Sequence, residues 1–276
     1  MYPKHFFERF WEGTQKNQLF VGIASDKSVD SKFSIIDKSA KSLGFDKAFR
    51  VGIETEANSI SDRIFDSIAN SKMLLFDLSD DSRTNDINLN VIYELGIASV
   101  IREPFDIVLI KKETKKIRKL PFDIQGLNIN FFDNEITKED IAPIISDALK
   151  NQEWHKSKRV KMAAESLDDT GLRLMYTYGW KPEGFNHFNS GSLPTLEKIS
   201  ILRLIDLGII RFSCQCYPDR KGFETAYWWT PFGYEVMKHL KIERLTLKEF
   251  EITPEYKVAV EQQKNFADDK KKHLEK

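Results

Sequence analysis

The stretch Ser71-Lys72-Met73-Leu74-Leu75-Phe76-Asp77-Leu78-Ser79-Asp80-Asp81, followed by Asn88-Leu89-Asn90-Val91-Ile92-Tyr93-Glu94-Leu95-Gly96-Ile97-Ala98, decides the fold. Met73 to Asp77 is a short apolar run that closes on an acid, as a buried strand does, and a polar loop follows it. Asn88 or Asn90 can then cap a helix that continues through Ser99, with Val91, Leu95 and Ala98 spaced to pack on a sheet. Strand, polar loop and capped helix form half of a βαβ unit.

The same alternation extends to both sides. Leu19 to Ala24 reads as a first strand ending in the turn Ser25-Asp26-Lys27-Ser28, and Phe33, Ile36, Ala40 and Leu43 as a helix stopped by Gly44. Phe49 to Ile53 suggests a second strand, and Ser59, Asp62, Ile64, Ile68 and Ala69 a capped amphipathic helix. Ile107 to Ile110 and Leu127 to Phe132 complete the strands, and a helix from Thr137 to Leu149 closes the domain. Strands alternating with helices predict an α/β fold with a largely parallel sheet flanked by helices, its ligand at the carboxyl ends of the strands. The loops after Ala24, Ile53 and Asp77 all fall on that edge.

Residues 1–150 therefore form the expected α/β domain, and the polar, basic stretch 151–166 reads as a linker. Residues 167–250 change character. A helix through Tyr178, a helix from Thr195 to Leu207 with Ile199, Leu202 and Ile205 on one face, a hairpin around Pro218 to Gly222 and a helix opened by Pro231 follow the order of a winged helix. Alternation in the hairpin should bury at least one ring of the Trp228-Trp229 pair. Residues 251–276 form a polar, lysine-rich tail.

Charge and composition exclude several functions. Forty-two basic side chains balance 42 acidic ones, so no global field draws the chain to nucleic acid or to an anionic membrane. The second domain's modest basic excess, with only Arg220 and Lys221 adjacent, gives DNA contact little support and leaves a protein partner or a homo-oligomer. No apolar run approaches a bilayer's thickness, and Met1 to Trp11 mixes charged and aromatic residues, so a cytoplasmic protein is expected, without membrane contact. Two cysteines, Cys214 and Cys216, exclude a disulfide framework, and five scattered histidines give no metal spacing. No Gly-x-Gly-x-x-Gly or lysine-bearing phosphate loop follows the first strand, which argues against a kinase or an ordinary dehydrogenase.

Asn88 to Ala98 resembles the Asn-Val-x-Tyr-Glu-Leu-Gly signature of the nucleoside 2-deoxyribosyltransferase-like and TIR-like nucleotide-binding families. Ile60 to Asp77 looks like their helix and acid-ended strand, and Leu120 to Gly126 is similar to their Pro-Phe-Asp element. The resemblance covers about Asn17 to Leu149. It implies a nucleotide or nucleoside ligand and cleavage of an N-glycosidic bond without metal or added cofactor, NAD entering as substrate. Glu94 would be the nucleophile or oxocarbenium stabiliser and Asp77 would place the sugar or base. Ser25, Asp26, Asp80, Asp81, Asn88, Asn90 and Tyr93 are the candidate substrate contacts. A hydrolase acting as an effector of a bacterial antiviral or toxin system, a deoxyribosyltransferase, and a non-catalytic nucleotide-sensing regulator whose winged helix contacts DNA or a protein are the alternatives that remain open. On residue chemistry alone, Glu94 near a helix start should be held ionised by the helix dipole, and Gly96 should let the helix approach another backbone.

Overall fold

The computed structural model describes residues 16–24, 29–50, 60–81, 84, 86–113, 128–188, 193–217, 222–258, 260 and 261. Ser25, Asp26, the segment 51–53, Ser59 and the segment 120–126 lie outside them. The chain divides into two compact units, residues 1–157 and 158–276.

The first unit is a five-stranded parallel sheet in the order β2-β1-β3-β6-β7. Its strands are β1 (Lys16–Gly22), β2 (Lys47–Phe49), β3 (Ser71–Asp77), β6 (Ile107–Lys112) and β7 (Ile129–Phe132). A two-residue pair, β4 (Asp80–Asp81) with β5 (Asp86–Ile87), forms a small antiparallel hairpin after β3. Counted along the chain within the sheet, the order is 2-1-3-4-5, so the winding reverses between β1 and β3. Doubly wound sheets open a crevice at that reversal, outside the carboxyl ends of the two strands.

Alternation along the strands sends successive side chains to opposite faces and builds two cores. Leu19, Val21, Met73, Leu75, Val108 and Ile110 pack with Ile36 and Ala40 of α1 (Asp30–Ser42) and with Ile141 and Ile145 of α4 (Lys138–Glu165). Phe20, Leu74, Phe76 and Leu109 pack on the other face with Ile68 of α2 (Ile60–Asn70) and with Val91, Leu95 and Ala98 of α3 (Leu89–Ile101). Helix α1 ends where the sequence places Gly44, which adopts φ +91°, a left-handed conformation that suits glycine. Asn88 caps α3, its side-chain oxygen accepting from the N–H of Asn90 at 2.9 Å.

The stretch expected to link the domains is helical as far as Glu165, because α4 runs on past Leu149. Residues 151–165 contain no glycine or proline and are rich in Glu, Lys, Gln, Met and Ala, which favour continuation. None of the helices among the described residues is long and apolar enough to cross a membrane.

The second unit holds α5 (Asp169–Tyr178), α6 (Thr195–Asp206), the hairpin β9 (Ile210–Tyr217) and β10 (Gly222–Trp229), α7 (Pro231–His239) and the short α8 (Leu247–Glu251). The expected order of helices and hairpin is present. A third strand, β8 (Gly184–Phe188), pairs with β10 to complete an antiparallel sheet β8-β10-β9. Gly184, Asn186 and His187 have poor strand propensity, so pairing holds this strand where local preference does not. Trp229 is buried against Phe185, whose ring stacks between Tyr178 and Tyr227 at 4.6 and 4.9 Å. Of the residues spaced along one face of α6, Ile199 and Leu202 are exposed and Ile205 packs partly buried against the core, which Ile201 and Leu204 fill. Ser200 sets that phase by donating its hydroxyl to the carboxylate of Asp168, which also caps α5.

Candidate functional site

Glu94 lies in the second turn of α3, at the carboxyl ends of β1 and β3. A Cβ built at Gly22 would stand 3.0 Å from Glu94 Oε2 and 2.3 Å from Cδ1 of Phe76, so the last residue of β1 is a glycine that leaves room for the carboxyl group. Glu94 therefore hangs over the reversal of the winding, against an aromatic wall. No hydrogen bond or ion pair joins it to another described residue. Burial alone pushes its pKa up to about 7 from an ordinary carboxylate value of 4.5.

That finding corrects the expectation of an ionised carboxylate. The favourable field of a helix terminus fades within its first turn. With Asn88 as the cap, Glu94 is a turn too far along, and desolvation prevails. Gly96 also departs from expectation, being exposed with nothing within 4 Å of a Cβ placed on it.

Asp77 differs from Glu94. It is 5% exposed, its Oδ2 accepts from Lys32 Nζ at 2.7 Å, and its Oδ1 accepts from the N–H and hydroxyl of Ser79. These three contacts hold the turn after β3 and fasten it to the first turn of α1. Lys111 acts similarly from β6, donating to the Leu78 carbonyl at 2.8 Å and to Asp80 Oδ1 at 3.0 Å, while the Lys112 N–H reaches Ser79 Oγ. Asp80 and Asp77 thus serve the loop that borders the crevice. Asp81 is buried and accepts from Asn88 Nδ2 at 3.1 Å, so Asn88 both caps α3 and holds the β4–β5 hairpin beside the helix start.

Asn90 is exposed and lies one turn before Glu94 on the same flank of α3, the nearest polar side chain in helical register with it. Tyr93 is 57% exposed and points away from Leu95 and the core, so it belongs to the outer face of the helix. A cavity of about 460 Å³ lies between the hairpin and the start of α3, lined by Asp81, Thr84, Asp86, Asn88 and Asn90 among others. Glu94 lies one turn beyond that lining. Among the described residues, no three His, Cys, Asp or Glu side chains gather as metal ligands.

Sequence reasoning passed over Gly22, Phe76, Lys32 and Lys111. A glycine closing an apolar strand signals close approach by another group, so Gly22 was readable. The lysines carried no such signal, because their partners are distant in the chain.

No protein-family model matches the chain, and no curated protein matches it. Among solved structures, it is similar to the metal-soaked Flv1 flavodiiron core from Synechocystis sp. PCC6803, at 12% identity and a TM-score of 0.34. That likeness covers 57% of this chain and 42% of the other, so the chain spans less than half of that protein's length. A similarity so slight leaves the family open.

Proposed function

We propose that the first unit cleaves the N-glycosidic bond of NAD or a related nucleotide, with Glu94 facing the sugar carbon. The observation that carries this reading is a partly buried carboxyl group with no partner among the described residues, placed where the sheet's winding reverses. No described residue sets a positive charge against the desolvated carboxylate, and a pyridinium ribose would supply such charge. As the bond between C1′ and the ring nitrogen breaks, its electron pair leaves with nicotinamide, which departs neutral and needs no proton. The ionised carboxylate then opposes the developing oxocarbenium centre or bonds to it, and water completes the hydrolysis with loss of a proton. The Asn-Val-x-Tyr-Glu-Leu-Gly resemblance points to the same chemistry.

The test incubates the purified protein with NAD and, separately, with deoxynucleosides plus a second base, and separates the products. Release of nicotinamide by the parent and its loss in Glu94→Gln is the expected result. Transfer of deoxyribose to the second base would make the protein a deoxyribosyltransferase at the same carboxylate. Equal turnover by parent and variant would overturn the role of Glu94.

A further inference from the structure

We infer that Asn90 reads the 2′-hydroxyl group of the substrate's sugar, so that the site takes ribosyl in preference to 2′-deoxyribosyl compounds. The inference rests on the glycosidic cleavage proposed at Glu94 and names the sugar on which that cleavage acts.

Asn90 and Glu94 are four residues apart on α3, so they share one flank of the helix, about 6 Å apart along its axis. Side chains on a helix lean toward its amino end, so the Glu94 carboxyl group, beside Gly22 and Phe76, leans toward the turn that carries Asn90. Asn90 in turn lines the cavity of about 460 Å³ between the hairpin and the start of α3. The other polar side chains of that lining are engaged. Asn88 caps the helix and donates to Asp81, Thr84 donates to the Asp86 carbonyl, and the Asp86 carboxylate accepts from the N–H of Ile87. Asn90 gives its backbone N–H to the cap, while its side-chain amide is exposed and has no partner among the described residues. A carboxyl group and an amide thus stand one turn apart on the same flank, each without a described partner.

In a ribose, the carbon next to C1′ carries the 2′-hydroxyl. A sugar whose C1′ faces Glu94 and whose ring extends toward the cavity brings that hydroxyl to the Asn90 amide, which can both accept from it and donate to it. The carboxylates of Asp81 and Asp86 are acceptors, so the cavity favours hydroxyl donors over phosphate. A 2′-deoxyribose leaves the amide without this contact, and a site that hydrogen-bonds a hydroxyl discriminates against the analogue that lacks it.

The test compares kcat/KM of the full chain for NAD and for its analogue without the 2′-hydroxyl of the nicotinamide ribose, with nicotinamide release as the readout. The two bonds differ in intrinsic lability, and taking the ratio of the two constants in parent and variant cancels that difference. Asn90→Ala should lower kcat/KM for NAD about tenfold and for the deoxy analogue less than about twofold. Asn90→Ser, which keeps a hydroxyl donor and acceptor, should recover part of the loss. The cap uses only the backbone N–H of residue 90, and alanine favours the helix, so the melting temperature of Asn90→Ala should not fall. If the parent cleaves NAD and Asn90→Ala leaves the ratio unchanged, the role of Asn90 is overturned and that of Glu94 stands. Cleavage of neither substrate by the parent overturns both.

Discussion

The two ends of the parallel sheet treat buried ionisable groups in opposite ways. At the amino ends of β3 and β6, Arg102 is fully buried and satisfied: it pairs with Asp106 Oδ2 at 3.0 Å and donates to the carbonyls of Ile68 and Ser71. Gln152 closes the set, donating to Asp106 Oδ1 and to the Lys72 carbonyl at 2.9 Å. At the carboxyl ends, Glu94 is buried enough to shift its pKa to about 7, yet no described residue is its partner. Buried charges without partners cost stability, and burial of this carboxyl group shifts its pKa instead of being compensated by a described partner. The satisfied network holds helices to the sheet, while the carboxyl group without a described partner is the one on which the proposed chemistry rests.

The largest expected effect lies at the satisfied end. Arg102→Ala would leave Asp106 without its buried counter-charge, held by Gln152 alone, and would remove a donor from the Ile68 and Ser71 carbonyls, and urea denaturation should show a loss of about 3–5 kcal/mol. A loss under about 1 kcal/mol would break the contrast, because the network would then not be structural. Glu94→Gln should do the reverse, reducing turnover by about 10²–10³-fold with no loss of stability. The sign follows from linkage. Between pH 4.5 and about 7 the folded protein keeps a proton on Glu94 that the unfolded chain has released. Stability from this group therefore falls as pH rises through that window and stays low above it. Glu94→Gln removes that slope, so above neutrality the variant should melt no lower than the parent. Turnover by the parent should rise through pH 7 as the carboxylate ionises.

Gly22→Ala sharpens the same contrast by crowding the site. Its methyl group meets the Phe76 ring at 2.3 Å, and the ring must move, at a cost of about 1–3 kcal/mol and with displacement of Glu94. Thermal melting and turnover should both decline. Asp77→Asn should matter least. The amide oxygen can still accept from Ser79 while the pair with Lys32 is lost, so a drop near 1 kcal/mol and a smaller loss of turnover than for Glu94→Gln are expected. Denaturation and initial rates distinguish the two variants.

The α/β class and its helix-flanked parallel sheet were legible because the strands are short apolar runs closed by polar loops, a signal that needs no distant partner. Strand order and the two-sided core follow from that pattern only with the pairing known. The helix cap at Asn88 and the burial of Val91, Leu95 and Ala98 were readable from spacing. The ionisation of Glu94 was not. It depends on Gly22 and Phe76, which come from other strands, and on how far the residue lies from the cap. Asp77 illustrates the same limit: an acid at a strand end looks the same in sequence whether it contacts a ligand or, as here, is held by Lys32 and Ser79. Strand β8 was missed because pairing, rather than propensity, makes it a strand. The end of the first domain was blurred because polar residues with good helix propensity resemble a linker in composition.

The most direct test of the contrast is the titration of Glu94 itself, followed by carboxyl-carbon NMR on labelled protein, with Glu94→Gln used to assign the signal. A midpoint near pH 7 is the result expected of a carboxyl group desolvated by burial and without a partner among the described residues. A midpoint at or below the ordinary value of 4.5 would show that the group is solvated or paired, and would contradict the account of this site.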